Sequence, residues 1–479
     1  MEEPDAPLLH SELMRISEAV SAYIDENRNR LRWLPKLFVV ASVESTLLVK
    51  VAGTHPRYLF ECRLVSMDYT LRSIFLVEIA DCVEVHELWD LRNSELLMLA
   101  FSNFTYAPST TNDTHLPHFS VETNSEVSFF ELEQTNSAFV VEKEFFVKFY
   151  RKVGSGSREQ HIYNLLRTCD AIPSYIGCFF DEAGDPVALV IERMSDTRTA
   201  MDVAIEISNR RDSSNRSSIT REISFVLKSS ARLLGKVHDA LAATSLGQVN
   251  LITRDDVTNW LNYRLRARGD LTRPANVGSS EIVIKAVNTM WELLDFLSME
   301  LQPFDIHGDF HLGQVVWNNG SPRVIDFEGE PIEAPNALEM NLFQRDLAGL
   351  LRSAHYLWCG YQRSSKSDDY DDTGTLEEYR RAIIDGYISS PTRHAMFENV
   401  DSVARICIFE LEKALYELNY EEKFRPTTVR VPLEFLAKSS RVKGAFDLFC
   451  AELDDGSTRD FPGRSERLQT FVVQGYGSL

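Results

Sequence analysis

Between Phe304 and Pro331 the sequence gathers residues able to handle a phosphate: His307-Gly308-Asp309, then Gln314, then Asp326-Phe327-Glu328. Asp309 and Gln314 lie five residues apart. Phosphoryl-transfer loops set a proton-accepting aspartate and a magnesium-binding amide at this interval. Asp326 follows Gln314 by twelve residues and ends the short apolar stretch Val324-Ile325, after the turn Asn318-Asn319-Gly320-Ser321. A two-stranded hairpin would return Gln314 and Asp326 to one end, where both can face one cation. Phosphoryl transfer needs such a set, because Mg²⁺ on oxygen ligands must offset the nucleotide's charge. Asp309 then stands beside the metal as the base, with Glu328 a further candidate ligand. Taken singly, His-Gly-Asp reads as an ordinary turn and Asp326 as an ordinary strand end. Their combination in this order favours the chemistry.

The partner half of such a site belongs upstream. Phe145-Phe146-Val147-Lys148-Phe149-Tyr150 is an apolar strand interrupted by one lysine, suited to directing an ammonium at the α and β phosphates. A helical pattern follows from Ser157, with Glu159 in its first turn to pair with that lysine. The alternative is that Lys148 is a strand-edge residue facing water. The chain has no GxxxxGK[ST], which excludes a P-loop NTPase. Gln134-Thr135-Asn136-Ser137, in the preceding hairpin, can supply hydroxyl, amide and backbone donors to phosphate, whereas Gly154-Ser155-Gly156 falls after the lysine and reads as a turn.

These elements sit in a chain of 479 residues with 50 Lys and Arg against 71 Asp and Glu, a formal charge of −21. At 44% hydrophobic, 25% charged and 10% aromatic, the composition is that of a globular protein. Its length predicts two or three domains. The acidic balance argues against nucleic acid or membrane as a partner. The seven cysteines (62, 82, 169, 178, 359, 407, 450) include no CxxC pair, so neither a disulfide framework nor a zinc site is expected. With no apolar run of about 18 residues and an acidic start, a cytoplasmic location follows. Period-two patterning over Phe38 to Val40, Thr46 to Val51, Tyr58 to Val65 and Ser73 to Ile79 predicts antiparallel strands, behind a helix over Glu12 to Asn27. Residues 107 to 118 have loop chemistry. Strands resume over Ser125 to Phe149 and Val187 to Glu192, and helices dominate beyond about 196, one opening on the capping box Thr375 to Glu378. The predicted class is α+β and bilobal. A mixed cap spans 1–90, a β-rich nucleotide lobe 91–195 and a helical lobe 196–479.

His307-Gly308-Asp309-Phe310-His311-Leu312-Gly313-Gln314, followed by Val324-Ile325-Asp326-Phe327-Glu328-Gly329-Glu330-Pro331, resembles the maltokinase family. The likeness continues through Arg345 to Ser353 and returns at Lys413-Ala414-Leu415-Tyr416-Glu417, Tyr420-Glu421 and Arg425-Pro426. Weaker echoes lie at Glu133 to Ser137. The family is similar in fold to aminoglycoside phosphotransferases and eukaryote-like kinases. The resemblance implies ATP-dependent phosphorylation of maltose to maltose 1-phosphate, with Asp309 as base, Gln314 and Asp326 as Mg²⁺ ligands and Lys148 on the nucleotide. The chain departs from the family in its cap, in a shorter Lys148 to Glu159 interval, and at Thr427-Thr428, where the family has Asp-Trp.

On the acceptor side, Ile408, Leu411, Ala414, Leu415 and Leu418 form an apolar stripe at helical spacing. Lys413, Tyr416, Glu417, Tyr420 and Glu421 occupy the opposite face. That face is either solvated or a sugar-binding surface, where rings stack on C–H groups and carboxylates accept hydroxyls. With a transfer site on the same lobe, the sugar-binding reading is preferred. His311, Arg345 and Asp346 are further candidates to shape the pocket, although a structural salt bridge explains the last two equally well. His238 reads as a packing residue. The partner implied is a small sugar acceptor, with any pathway enzyme left open. The alternatives are a kinase for another sugar or aminosugar such as glucosamine, and a non-catalytic sugar or nucleotide sensor.

Overall fold

The computed structural model describes residues 10–27, 40–51, 57–66, 70–79, 83–109, 119–120, 122, 125–129, 136–154, 156–194, 198–210, 216–244, 251–267, 277–318, 321–330, 340–364, 373–390, 393, 399–439, 444, 446 and 472–473. Gln134, Thr135 and most of the loop predicted over 107–118 lie outside these residues. The chain divides into two compact units, Met1–Thr168 with Pro173–Met194, and Cys169–Ile172 with Ser195–Leu479.

In the first unit, helix α1 (His10–Asn27) precedes an antiparallel meander of β1 (Ser42–Val51), β2 (Arg57–Val65), β3 (Thr70–Ile79) and β4 (Val83–Glu87). The helix buries Ile16, Val20 and Ile24 against Phe60, Cys62, Leu64, Phe75 and Val77. Strand residues of the other parity, Leu59, Ile74 and Leu76, enter a second core with Leu97, Phe101, Phe139 and Phe149. Both faces of β2 and β3 are therefore covered, which is why their apolar residues run almost without a break.

Short helices α2 (Leu88–Leu91) and α3 (Ser94–Phe101) lead to a six-stranded antiparallel sheet. Its order is β5 (Thr105–Pro108), β9 (Tyr175–Phe180), β10 (Pro186–Glu192), β8 (Phe145–Phe149), β7 (Ser137–Val141) and β6 (Val127–Phe129). The loop predicted from residue 107 begins later than expected, because Ala107 and Pro108 pair with Cys178 and Gly177. Pro108 is tolerated there because β5 is an edge strand. Helix α4 (Gly156–Leu165) follows β8. A Cβ on Gly156 would strike the Tyr150 ring, so only glycine lets the helix begin against that tyrosine.

The second unit is mostly helical: α5 (Ala200–Asn209), α6 (Arg216–Thr244), α7 (Arg254–Ala267), α8 (Val277–Leu293), α9 (Phe343–Ser364), α10 (Thr373–Tyr387), α11 (Val400–Phe424) and α12 (Arg430–Ala437). A small sheet of β11 (Arg198–Thr199), β12 (Val315–Asn318) and β13 (Ser321–Val324) interrupts it. Helix α10 begins at Thr373, two residues before the predicted capping box, and Thr375 is buried inside it. Helix α11 is capped by Asn399, whose side chain accepts the Ser402 N–H. It buries Ile408, Leu411, Ala414, Leu415 and Leu418 as their spacing predicts. No helix among the described residues is long and apolar enough to cross a membrane.

Candidate active site

The loop from Ile306 to Gln314 is held from beneath by Asp346, in the first turn of α9 and wholly buried. Its carboxylate accepts the backbone N–H groups of His307 (2.7 Å) and Gly308 (2.8 Å). His238 Nε2 lies 3.0 Å from the same carboxylate and Nδ1 lies 2.8 Å from the Tyr387 hydroxyl, so His238 is the satisfied packing residue its sequence context suggested. Burial opposes charge on Asp346, but His238 and the loop N–H groups hold its carboxyl below the usual aspartate range. Gly308 takes a left-handed φ of 87°. A Cβ on Gly349 would strike the Phe310 carbonyl oxygen, so this glycine lets α9 lie directly against the loop.

The loop is tied to the end of the β12–β13 hairpin by His307. Its Nδ1 accepts the Asp309 N–H at 3.3 Å, which makes Nε2 the protonated nitrogen that donates to Ile325 O at 2.9 Å. Burial pushes His307 below the usual histidine range, keeping the ring neutral in this role. Register along the hairpin pairs Val315 with Val324, and Ile325 donates its N–H to Gln314 O at 3.0 Å. Gln314 Nε2 then donates to Asp326 Oδ2 at 3.0 Å. Asp326 sits at a φ of 70°, a conformation uncommon for a non-glycine residue and one that collects at functional sites. Glu328 follows two residues on, half-buried in the turn.

Asp309 faces a cavity of about 500 Å³, one side of which is helix α11. Lys413, Tyr416, Glu417, Tyr420 and Glu421 all line it, with His311, Ser353, Tyr356 and Arg425. The stripe opposite the apolar face therefore lines this cavity, with Tyr420 at its exposed end. Burial moves the Tyr416 phenol up to about 12, so it stays neutral. Glu417 Oε2 accepts from Arg352 Nε (2.9 Å) and Nη2 (2.7 Å). Glu417 Oε1 has no hydrogen bond among the described residues. Glu421 is saturated by the Tyr356 hydroxyl (3.0 Å), by Arg425 (2.8 Å) and by the Thr428 hydroxyl. Neither Arg345 nor Asp346 lines this cavity. Arg345 pairs with Glu330 at 3.3 Å and stacks over Trp260, while Asp346 holds the loop.

In the first unit, Lys148 Nζ lies 3.0 Å from Glu159 Oε2, which also accepts the Tyr150 hydroxyl at 2.8 Å. Strand β8 pairs on both sides, with β10 and β7. The strand-edge alternative for Lys148 is thereby removed. Asn136 and Ser137 point at Arg151: Asn136 Oδ1 accepts its backbone N–H (3.1 Å) and Ser137 Oγ accepts from its Nε (2.9 Å).

The sequence places Lys413 on the stripe with Tyr416 and Glu417 but does not show that it meets Asp309. Glu330 and Tyr356 carried no such signal, because only the tertiary fold brings them to Lys413 and Glu421.

No known protein-family profile matches the chain. Its fold is similar to that of a glucosamine kinase in complex with glucosamine, ADP and inorganic phosphate, at a TM-score of 0.61 and 16% identity. The match covers 84% of this chain and 94% of that one. A second glucosamine kinase structure, crystal form B, gives a TM-score of 0.64 at 16% identity over 89% of this chain and 98% of that one. The chain therefore has a kinase-like α+β fold, sheet-rich in its N-terminal part and helical in its C-terminal part.

Proposed function

We propose that the chain is a cytoplasmic, ATP- and Mg²⁺-dependent sugar kinase that phosphorylates a hydroxyl of a small sugar or aminosugar. The observation that carries this is the placement of Asp309. It lines a cavity with tyrosine rings and carboxylates in its wall, on the loop that also presents Gln314 to Asp326. One of its oxygens, Oδ2, has no hydrogen bond among the described residues. Asp309 Oδ2 accepts the acceptor's hydroxyl proton as that oxygen bonds the γ-phosphorus. The bond from phosphorus to the β–γ bridging oxygen breaks, and ADP leaves with its electron pair.

Gln314 and Asp326, with Glu328 in reach of sequence, offer the hard oxygen donors that suit Mg²⁺. Bound there, the ion would offset phosphate charge. In the first unit, Lys148, oriented by Glu159, is the proposed nucleotide contact, with Gln134 and Thr135 the remaining candidates for the phosphates, since Asn136 Oδ1 and Ser137 Oγ are engaged by Arg151. The proposed division is a cap subdomain over 1–90, a nucleotide lobe over 91–195 and a helical lobe with the catalytic and acceptor site over 196–479.

Two acceptors are named. Motif resemblance supports maltose and hence maltose 1-phosphate. The likeness to glucosamine kinases, together with Thr428 satisfying Glu421 where the resembling family has tryptophan, supports glucosamine. In either case Glu417 Oε1 is an acceptor for a sugar hydroxyl or ammonium, and Tyr416 and Tyr420, stacked at 6.4 Å, offer ring faces.

The test is ADP release from Mg²⁺-ATP across maltose, glucose, glucosamine, trehalose and an aminoglycoside, with products read by phosphorus NMR. Turnover should depend on a sugar and disappear in Asp309→Asn while nucleotide binding persists. Nucleotide binding without turnover on any acceptor would replace this proposal with the sensor reading.

A further inference from the structure

Lys413 lies on the cavity wall at the centre of a charge cluster that belongs to the second unit alone. Its Nζ is 2.6 Å from Asp309 Oδ1 and 2.6 Å from Glu330 Oε1, and 4.7 Å above the Tyr416 ring. On its far side Glu330 accepts from Arg264 and from Arg345, and Arg264 also pairs with Glu412 at 2.8 Å. Lys413, Arg264 and Arg345 thus balance Asp309, Glu330 and Glu412, three charges against three. Burial works against the ammonium, but Asp309 and Glu330 hold Lys413 above the usual lysine range. The same cations hold Glu330 well below the usual glutamate range, against its own burial.

Two details separate this from a sealed structural ion pair. The Lys413 and Asp309 side chains keep 13% and 19% of their surface, both on the cavity, whereas Glu330 and Arg264 keep only 2% and 3%. Glu330 is already met by two arginines, so Asp309 is the partner that depends on Lys413. The lysine takes Oδ1 and thereby leaves Oδ2 as the one oxygen that can receive a proton.

We propose that Lys413 is a positioning residue for the transfer base: it fixes the Asp309 carboxylate through Oδ1 and presents Oδ2 to the acceptor hydroxyl. The inference rests on the sugar-kinase proposal. The ammonium itself gives up no proton, and Arg264 and Arg345 hold Glu330 so that it does not draw Lys413 away.

The experiment measures kcat and the KM for ATP in Lys413→Met, Lys413→Arg and Lys413→Ala, with kcat expressed per molecule able to bind nucleotide. Lys413→Met should lower kcat about 100-fold, the scale of a misplaced catalytic group, and leave the KM for ATP within about two-fold. Lys413→Arg should recover at least about ten-fold of that loss, because it restores a cation at Asp309. Ethylammonium added to Lys413→Ala should raise kcat saturably, a response that a merely structural lysine would not give. Should Lys413→Met not fold, Lys413→Gln takes its place under the same criteria. A kcat equal to wild type in the uncharged variant, equal losses in the Met and Arg variants, or no response to ethylammonium overturns the inference while leaving the kinase proposal standing. Absence of sugar-dependent ADP release in the wild type removes the kinase proposal first.

Discussion

Asp346 shows how much one buried side chain can organise. It uses both carboxylate oxygens to hold two consecutive loop N–H groups and meets His238 at the same time. Removing it would leave those donors and a histidine ring without partners in a dry site, a loss of roughly 1–3 kcal/mol for each unsatisfied group. Asp346→Ala should therefore both destabilise the second unit and loosen the loop that carries Asp309. Hydrogen exchange at the amides of His307 and Gly308 should accelerate, and, on the sugar-kinase proposal, kcat should fall more than the KM for the sugar rises. Unchanged exchange at those two amides would show that the loop is held by something else. Sequence reading left Asp346 between shaping the acceptor pocket and a structural salt bridge with Arg345. What the pattern could not show is that the carboxylate faces backbone, since the loop and α9 lie 38 residues apart at Gly308.

At the scale of elements, Arg151 ties the two sheets of the first unit together. Its guanidinium donates to Ser73 on β3 and, at 2.6 Å, to Glu87 at the end of β4. It also donates to Ser137 on β7 (2.9 Å) and stacks over Trp89 at 5.0 Å. Arg151 and Glu87 are each 1% exposed. Breaking a buried pair from one side strands the other charge and costs about 3–5 kcal/mol. Glu87→Gln should lower the urea midpoint of the first unit accordingly and speed exchange along β7. A midpoint shift equivalent to less than about 1 kcal/mol would mean that the serines alone hold Arg151. Strands and helices here were largely legible, because Tyr58 to Val65 is a mostly apolar run of strand length and α11 repeats Leu411, Leu415 and Leu418 at helical spacing. The start of α10 was misplaced by the Thr375 capping pattern, since the helix extends two residues further and buries that threonine. The cavity wall on α11 was legible as a stripe, yet its partners were not. Arg352, Tyr356 and Glu330 reach it only through contacts between elements distant in sequence.

Across the whole molecule, a formal charge of −21 predicts that mild acid relieves self-repulsion. Buried neutral histidines act in the opposite direction. Burial pushes His307 and His311 below the usual histidine range, and His355 well below it, where Arg352, Arg380 and Lys438 add to the effect. His355 is packed between Trp358 and Phe435, and its Nε2 is buried without a hydrogen-bond partner among the described residues. A histidine depressed in the folded state binds its proton more readily when unfolded. Its contribution is intact above the unfolded value of about 6.5 and is lost as pH falls below it, by up to about 1.4 kcal/mol per pH unit for each ring. Relief of surface repulsion is spread over many screened charges, so the local term wins. The wild type should lose stability between pH 7.5 and 5.5, measured by urea unfolding followed in the second unit. His355→Phe, which keeps an aromatic ring between Trp358 and Phe435 and cannot be protonated, should remove about 1 kcal/mol of that loss. Stability of this variant that falls as steeply as the wild type's would assign the acid sensitivity to His307 and His311, beside the site, rather than to the core of the unit.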